Sequence, residues 1–112
     1  MNISTVEHQN DIAVISLAGR LDLASAAAVK SRFSDEVQRG RRRLIVDLGE
    51  VPMIDSSGLG ALIGGLKATR LASGDLRLAR AQTQAQTILR LTMLDRVLLT
   101  YDTVEEALAA YD

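Results

Sequence analysis

The residues best suited to chemistry stand together in the run Asp55-Ser56-Ser57-Gly58-Leu59-Gly60. An acid, two hydroxyls and two glycines precede an apolar pattern of helical spacing. Ser56 therefore falls at or just before the first turn of a helix. Backbone amides at such a start have no acceptor within the helix and carry partial positive charge. A phosphate on Ser56 would meet those amides. It would add roughly 1.5 to 2 negative charges at neutral pH, which can reverse binding to a partner with an acidic contact surface. Gly58 and Gly60 lack a Cβ, so a bulky group or a partner could approach the backbone closely. The same letters also serve as a plain helix cap, because Asp and Ser are preferred at N-caps.

Other chemistries find little support. The chain has 112 residues and no cysteine, which excludes disulfides, a thiol nucleophile and a thiolate metal site. His8 is the only histidine, so a two-histidine metal site within one chain is excluded. The 55–60 run lacks the G-x-S-x-G nucleophile elbow, and a Ser–His–Asp hydrolase would need His8 to reach Ser56. Neither phosphate-binding glycine motif is present, which disfavours a nucleotide binder. No enzyme, metal or cofactor is expected. The net charge of −1 argues against a nucleic-acid module. Arg41-Arg42-Arg43 has no interleaved aromatics and fits a solvated turn. The sequence shows neither a secretory signal nor an apolar run of membrane-spanning length, so a cytoplasmic protein without membrane insertion is expected.

The elements that must position Ser56 follow from periodicity. Residues 2–7 read as a weak, edge-like strand, and His8-Gln9-Asn10-Asp11 as a turn. The β-branched run from Ile12 to Ala18 reads as a buried strand. A helix fits about Ala24–Gln38, with Ala26, Val29, Phe33 and Val37 on one face and Gly40 as its stop. Leu44–Leu48 is the next central strand. A second helix covers about Ser57–Leu71, carrying the stripe Leu59, Leu62, Ile63 and Leu66. It contains Gly60, Gly64 and Gly65, each costing about 1 kcal/mol relative to alanine, so a close approach by the chain's own sheet or by a partner should compensate. A strand at Leu76–Leu78, a helix at about Gln84–Leu94 and a strand at Val97–Tyr101 come next. Thr103 and Glu106 fit a capping box opening a last helix with Val104, Ala107, Leu108 and Tyr111. Helices between strands imply an α/β sandwich, with four or five strands in a mixed sheet. The length suits one domain over 1–112.

Asp55-Ser56-Ser57-Gly58-Leu59-Gly60 resembles the signature of bacterial STAS-domain anti-sigma factor antagonists of the sporulation and general-stress type. Gly19-Arg20-Leu21-Asp22 follows the first central strand, where that family typically carries Gly-Glu-Leu-Asp. Asp47-Leu48 closes the strand before the 55–60 run, and Leu59–Lys67 is similar to the family's glycine-rich helix. The resemblance implies a mixed sheet with about four helices packed mainly on one face. It implies that Ser56 is the phosphoacceptor, with Ser57 beside it. Asp22, Asp55, Ser57, Gly58, Leu59 and Gly60 would then meet the partner. Asp22 also suits the N-cap of the first helix.

The mechanism so implied is partner switching. The unphosphorylated form binds an anti-sigma factor that is also a serine kinase, and sigma factor goes free. Phosphorylation of Ser56 releases the complex, and a PP2C-type phosphatase restores the binding form. ATP and Mg²⁺ belong to the kinase, and this chain only presents a hydroxyl for in-line transfer. The alternative is a STAS adaptor subunit of a transporter-associated or signalling assembly, for which no hydroxyl is needed at position 56.

Overall fold

The computed structural model describes residues 1–111. Among these residues five strands form one sheet: β1 (Asn2–Glu7), β2 (Ile12–Ala18), β3 (Arg43–Glu50), β4 (Asp75–Ala79) and β5 (Thr100–Tyr101). Four helices join or follow them: α1 (Leu23–Gln38), α2 (Ser56–Leu71), α3 (Thr83–Leu91) and α4 (Val104–Ala109). The strands lie side by side in chain order. β1 runs antiparallel to β2, and every later pairing is parallel.

The β1–β2 hairpin turns on Asn10 and Asp11, both with positive φ (63° and 61°). That two-residue turn matches the right-handed twist of the strands, and Asn and Asp tolerate its conformation better than other non-glycine residues. The parallel pairs require crossovers, which α1, α2 and α3 supply.

Strand alternation divides the core in two. Ala13, Ile15 and Leu17 of β2, Leu44, Val46 and Leu48 of β3, and Leu76 and Leu78 of β4 point to one face. There they meet Val29 and Phe33 of α1, Leu59, Leu62 and Leu66 of α2, and Ala85 and Leu89 of α3. Ile12, Val14, Ile45 and Ala79 point the other way and are covered by Val104, Ala107 and Leu108 of α4 and by Tyr111 just after it. Fully burying each large aliphatic side chain stabilises the fold by about 1.5–3 kcal/mol, so the three-helix face dominates. Helices are thus packed mainly on one face, as expected. The Tyr111 hydroxyl donates to the Leu44 carbonyl at 2.8 Å, and the Arg77 guanidinium lies 4.2 Å from the ring centre.

Phe33 explains one glycine of α2. A Cβ on Gly65 would strike the Phe33 ring and come within 2.7 Å of Leu76 Cδ1. The compensation for that glycine is therefore the chain's own core.

Several boundaries differ from expectation. α3 ends at Leu91, not Leu94, because Met93 takes a left-handed conformation (φ 61°) and the chain continues as a 3₁₀ turn over Leu94–Arg96. The last strand shrinks from Val97–Tyr101 to Thr100–Tyr101. Leu98 instead turns fully into the core. On α1 the buried face includes Glu36, while Val37 is only half-buried. At α4, Thr103 Oγ1 accepts from the Glu106 amide at 3.0 Å. The reciprocal half of a capping box forms instead at α1, where Ser25 Oγ accepts from the Asp22 amide at 3.0 Å.

Candidate functional site

The carboxyl ends of β2 and β3 carry two loops, 19–22 and 51–55, which continue the parallel pairing beyond the strands. The Gly19 amide donates to Glu50 O (3.0 Å) and the Leu21 amide to Met53 O (3.0 Å), while Leu21 O accepts from the Asp55 amide (3.2 Å). Leu21 and Ile54 sit side by side as a parallel bridge, and both side chains are buried. This main-chain zipper brings the N-caps of α1 and α2 together. Asp22 caps α1, its Oδ1 accepting from the Ala24 amide at 3.1 Å. Asp55 caps α2, its Oδ1 accepting from the Gly58 amide at 2.9 Å. The two acids singled out in the sequence therefore stand on either side of Leu21, both as caps.

Ser56 is the first residue of α2 and is exposed, and Ser57 is half-exposed. Their amides lie before the helical ladder begins, because only the third and fourth are taken, by Asp55 Oδ1 and Asp55 O. The site thus offers a hydroxyl at a positive helix end with Asp22 and Asp55 nearby.

The remaining members of the run divide. Gly60 is exposed, and a Cβ there would have nothing within 4 Å. Gly58 is buried: a Cβ would run into the Leu21 carbonyl group and lie 2.9 Å from Leu21 Cγ. The open approach expected at Gly58 is therefore taken by the chain's own 19–22 loop. Leu59 is buried in the three-helix core and faces inward.

Several residues at this end carry no signal in the sequence because their partners are some thirty positions away. Asp47, buried near the end of β3, takes a two-point grip from the Arg80 guanidinium, Nε donating to Oδ1 at 2.8 Å and Nη2 to Oδ2 at 2.9 Å. That hydrogen bond, and then the charge of Asp47, raise the Arg80 pKa above its ordinary value. Gly49 leaves room for this guanidinium, which a Cβ would strike. Gln82 Nε2 donates to Gly49 O at 2.9 Å, and the Gln84 carboxamide pairs with both backbone groups of Ile54.

Two other features fall elsewhere. His8 lies in the hairpin turn before β2, whereas Ser56 follows the far end of the parallel strand β3. The length of the sheet separates them, so no Ser–His–Asp arrangement forms. Arg41 pairs with Glu7 at 2.6 Å and Arg42 with Asp11 at 3.4 Å, while Arg43 opens β3. Two of the three arginines are thus paired with acids of the chain's own hairpin. Among the described residues no group of three metal-ligating side chains comes together, and no helix is long and apolar enough to cross a membrane.

The STAS domain family model matches residues 4–107. The chain belongs to the STAS domain family. Among its relatives, the anti-sigma-B factor antagonist of Bacillus subtilis is 31% identical over 78 residues, 70% of each chain. A Thermotoga maritima crystal structure superposes with a TM-score of 0.89 at 27% identity, covering 96% of this chain and 92% of that one. An anti-sigma-factor antagonist (STAS) domain protein from Planctomyces limnophilus gives 0.84 at 26% identity, covering 96% of each.

Proposed function

We propose that this chain is an anti-sigma factor antagonist working by partner switching, with Ser56 as its phosphoacceptor. The observation that carries the reading is the exposed Ser56 hydroxyl on the first residue of α2, capped by Asp55. The bacterial relatives named as antagonists add support. In this reading one cytoplasmic STAS domain presents Ser56, Ser57, Gly60 and the neighbouring Asp22 and Asp55 to an anti-sigma factor that is also a serine kinase. Gly58 and Leu59 serve the same surface from beneath, by fixing α2 against the 19–22 loop and the core. The kinase transfers the γ-phosphoryl of ATP to the Ser56 oxygen, whose proton leaves to the kinase's base. The new charge sits beside Asp22 and Asp55 and drives the complex apart. A PP2C-type phosphatase hydrolyses the phosphoserine and restores the binding form.

The test is intact-mass measurement of the protein from its native cells, with peptide mapping of residues 44–67. A partial gain of one phosphate on Ser56 supports the reading. Its absence across growth conditions, with phosphatase inhibited, favours the constitutive adaptor. Ser56→Ala is expected to stay in the kinase-binding form and Ser56→Asp to bind at least tenfold more weakly, a charge effect within the range of buried like-charge contacts. Equal affinities would sink the switch.

A further inference from the structure

We infer that Gln84 is the positioning residue of the phosphoacceptor: its side chain holds Ile54 in register and so sets where the Ser56 hydroxyl stands. The inference rests on the reading of Ser56 given above.

The 51–55 loop runs as an extra length of parallel strand. On one edge Met53 O and the Asp55 amide pair with Leu21. The amide and carbonyl of Ile54 face the opposite edge, as alternation along an extended chain requires. No strand is available there, because β4 has ended at Ala79 and α3 begins at Thr83. Gln84 takes the strand's place. Its Oε1 accepts from the Ile54 amide and its Nε2 donates to the Ile54 carbonyl, both at 2.9 Å. A carboxamide carries one donor and one acceptor side by side, the pair that a peptide group presents to a neighbouring strand.

Ile54 is 1% exposed, so these two backbone groups sit where water competes poorly and an unmade bond is costly. Ile54 is followed directly by the cap, Asp55, and then by Ser56. A shift at Ile54 has no flexible residue in which to dissipate before it reaches the hydroxyl. Gln82 makes a parallel attachment to Gly49, so the start of α3 grips the chain at both ends of the segment leading to Ser56. In-line phosphoryl transfer depends on sub-ångström placement of the attacking oxygen.

The experiment compares the full chain with Gln84→Leu, Gln84→Glu and the control Gln86→Leu. Gln86 lies on the same helix and donates to Ala81 O at 2.8 Å, away from Ser56. Single-amide hydrogen exchange is read first. Gln84→Leu is expected to speed exchange at Ile54 and Asp55 about tenfold or more. Gln84→Glu keeps the acceptor and loses the donor, so it falls between, and it stands in if the leucine variant does not fold. Gln86→Leu leaves both amides unchanged. Phosphorylation of each protein is then followed in native lysate supplied with ATP. The maximal rate for Gln84→Leu is expected to fall about tenfold or more, with the half-saturating concentration unchanged, because the hydroxyl is misplaced while the docking surface persists. Wild-type exchange at Ile54 and Asp55, or a wild-type rate in Gln84→Leu, overturns the inference. A wild-type chain that takes no phosphate overturns the reading of Ser56 instead, and the role of Gln84 in transfer goes with it.

Discussion

Alanine at Gly60 and alanine at Gly65 are expected to change stability in opposite directions, although the two positions share one helix. Either replacement removes the backbone freedom of glycine and gains about 1 kcal/mol of helix propensity. At Gly60 nothing lies within 4 Å of the new methyl, so the gain stands alone. For a chain of this length 1 kcal/mol corresponds to a Tm change of about 4 °C. At Gly65 the methyl overlaps the Phe33 ring and approaches Leu76 Cδ1 to 2.7 Å. Phe33 is 1% exposed and Leu76 fully buried, so neither can swing aside into solvent. Overpacking of this kind costs about 1–3 kcal/mol, and two immobile neighbours place it at the upper end. The net loss is about 2 kcal/mol, and the two variants differ by about 3 kcal/mol, or roughly 12 °C. Thermal and urea unfolding followed by circular dichroism measures both, with equal m-values as the check on comparable unfolded states. A Gly65→Ala protein as stable as Gly60→Ala would refute the packing argument. Because the Gly60 backbone faces the proposed partner, Gly60→Ala is also expected to weaken kinase binding while raising Tm.

Asp55→Ala removes the cap of α2 and is expected to cost about 1 kcal/mol, measured by urea denaturation, with most of it recovered in Asp55→Asn. Tyr111 gives a prediction for alkaline pH. Burial raises its pKa above the ordinary value of 10.0, so the folded state holds the phenolic proton more tightly than the unfolded chain. The resulting stability is fully present below about pH 10 and is lost as the pH rises beyond it. Urea midpoints taken from about pH 9 to pH 11 are expected to fall more steeply for the wild type than for Tyr111→Phe. Parallel slopes would show that the phenol is not the group responsible.

The elements nearest the site were the most legible in the sequence, for physical reasons. β2 and β3 are β-branched, buried on both faces and therefore nearly continuous in apolar character. α2 combines a strong cap with a regular apolar stripe. The far end of the chain was harder. Nothing in Leu91-Thr92-Met93-Leu94 marks a stop, since the helix is ended by a methionine in a conformation that glycine or asparagine usually occupies. Glu36 reads as a surface residue, yet its carboxylate is buried, with Arg39 3.7 Å away. At the site, caps are local and could be read: Asp22 and Asp55 lie next to the helices they serve. The attachments made by Arg80, Gln82 and Gln84 join positions 30 to 33 residues apart, and periodicity carries no information about such pairs. Gly58 and Gly60 look alike in the sequence, and only the path of the 19–22 loop separates an inward from an outward role.

The unequal division of the core has a consequence for handling the protein. α4 covers Ile12, Val14, Ile45 and Ala79 with a six-residue helix, tied down chiefly by Tyr111 and Arg77. The larger cluster on the other face does not depend on it. A protease cutting near Asp102 would leave the opposite layer standing and strip the cover from four apolar side chains on this face of the sheet. Such a clipped chain would retain much of its helical signal and precipitate, so loss of solubility would announce the damage before loss of secondary structure did.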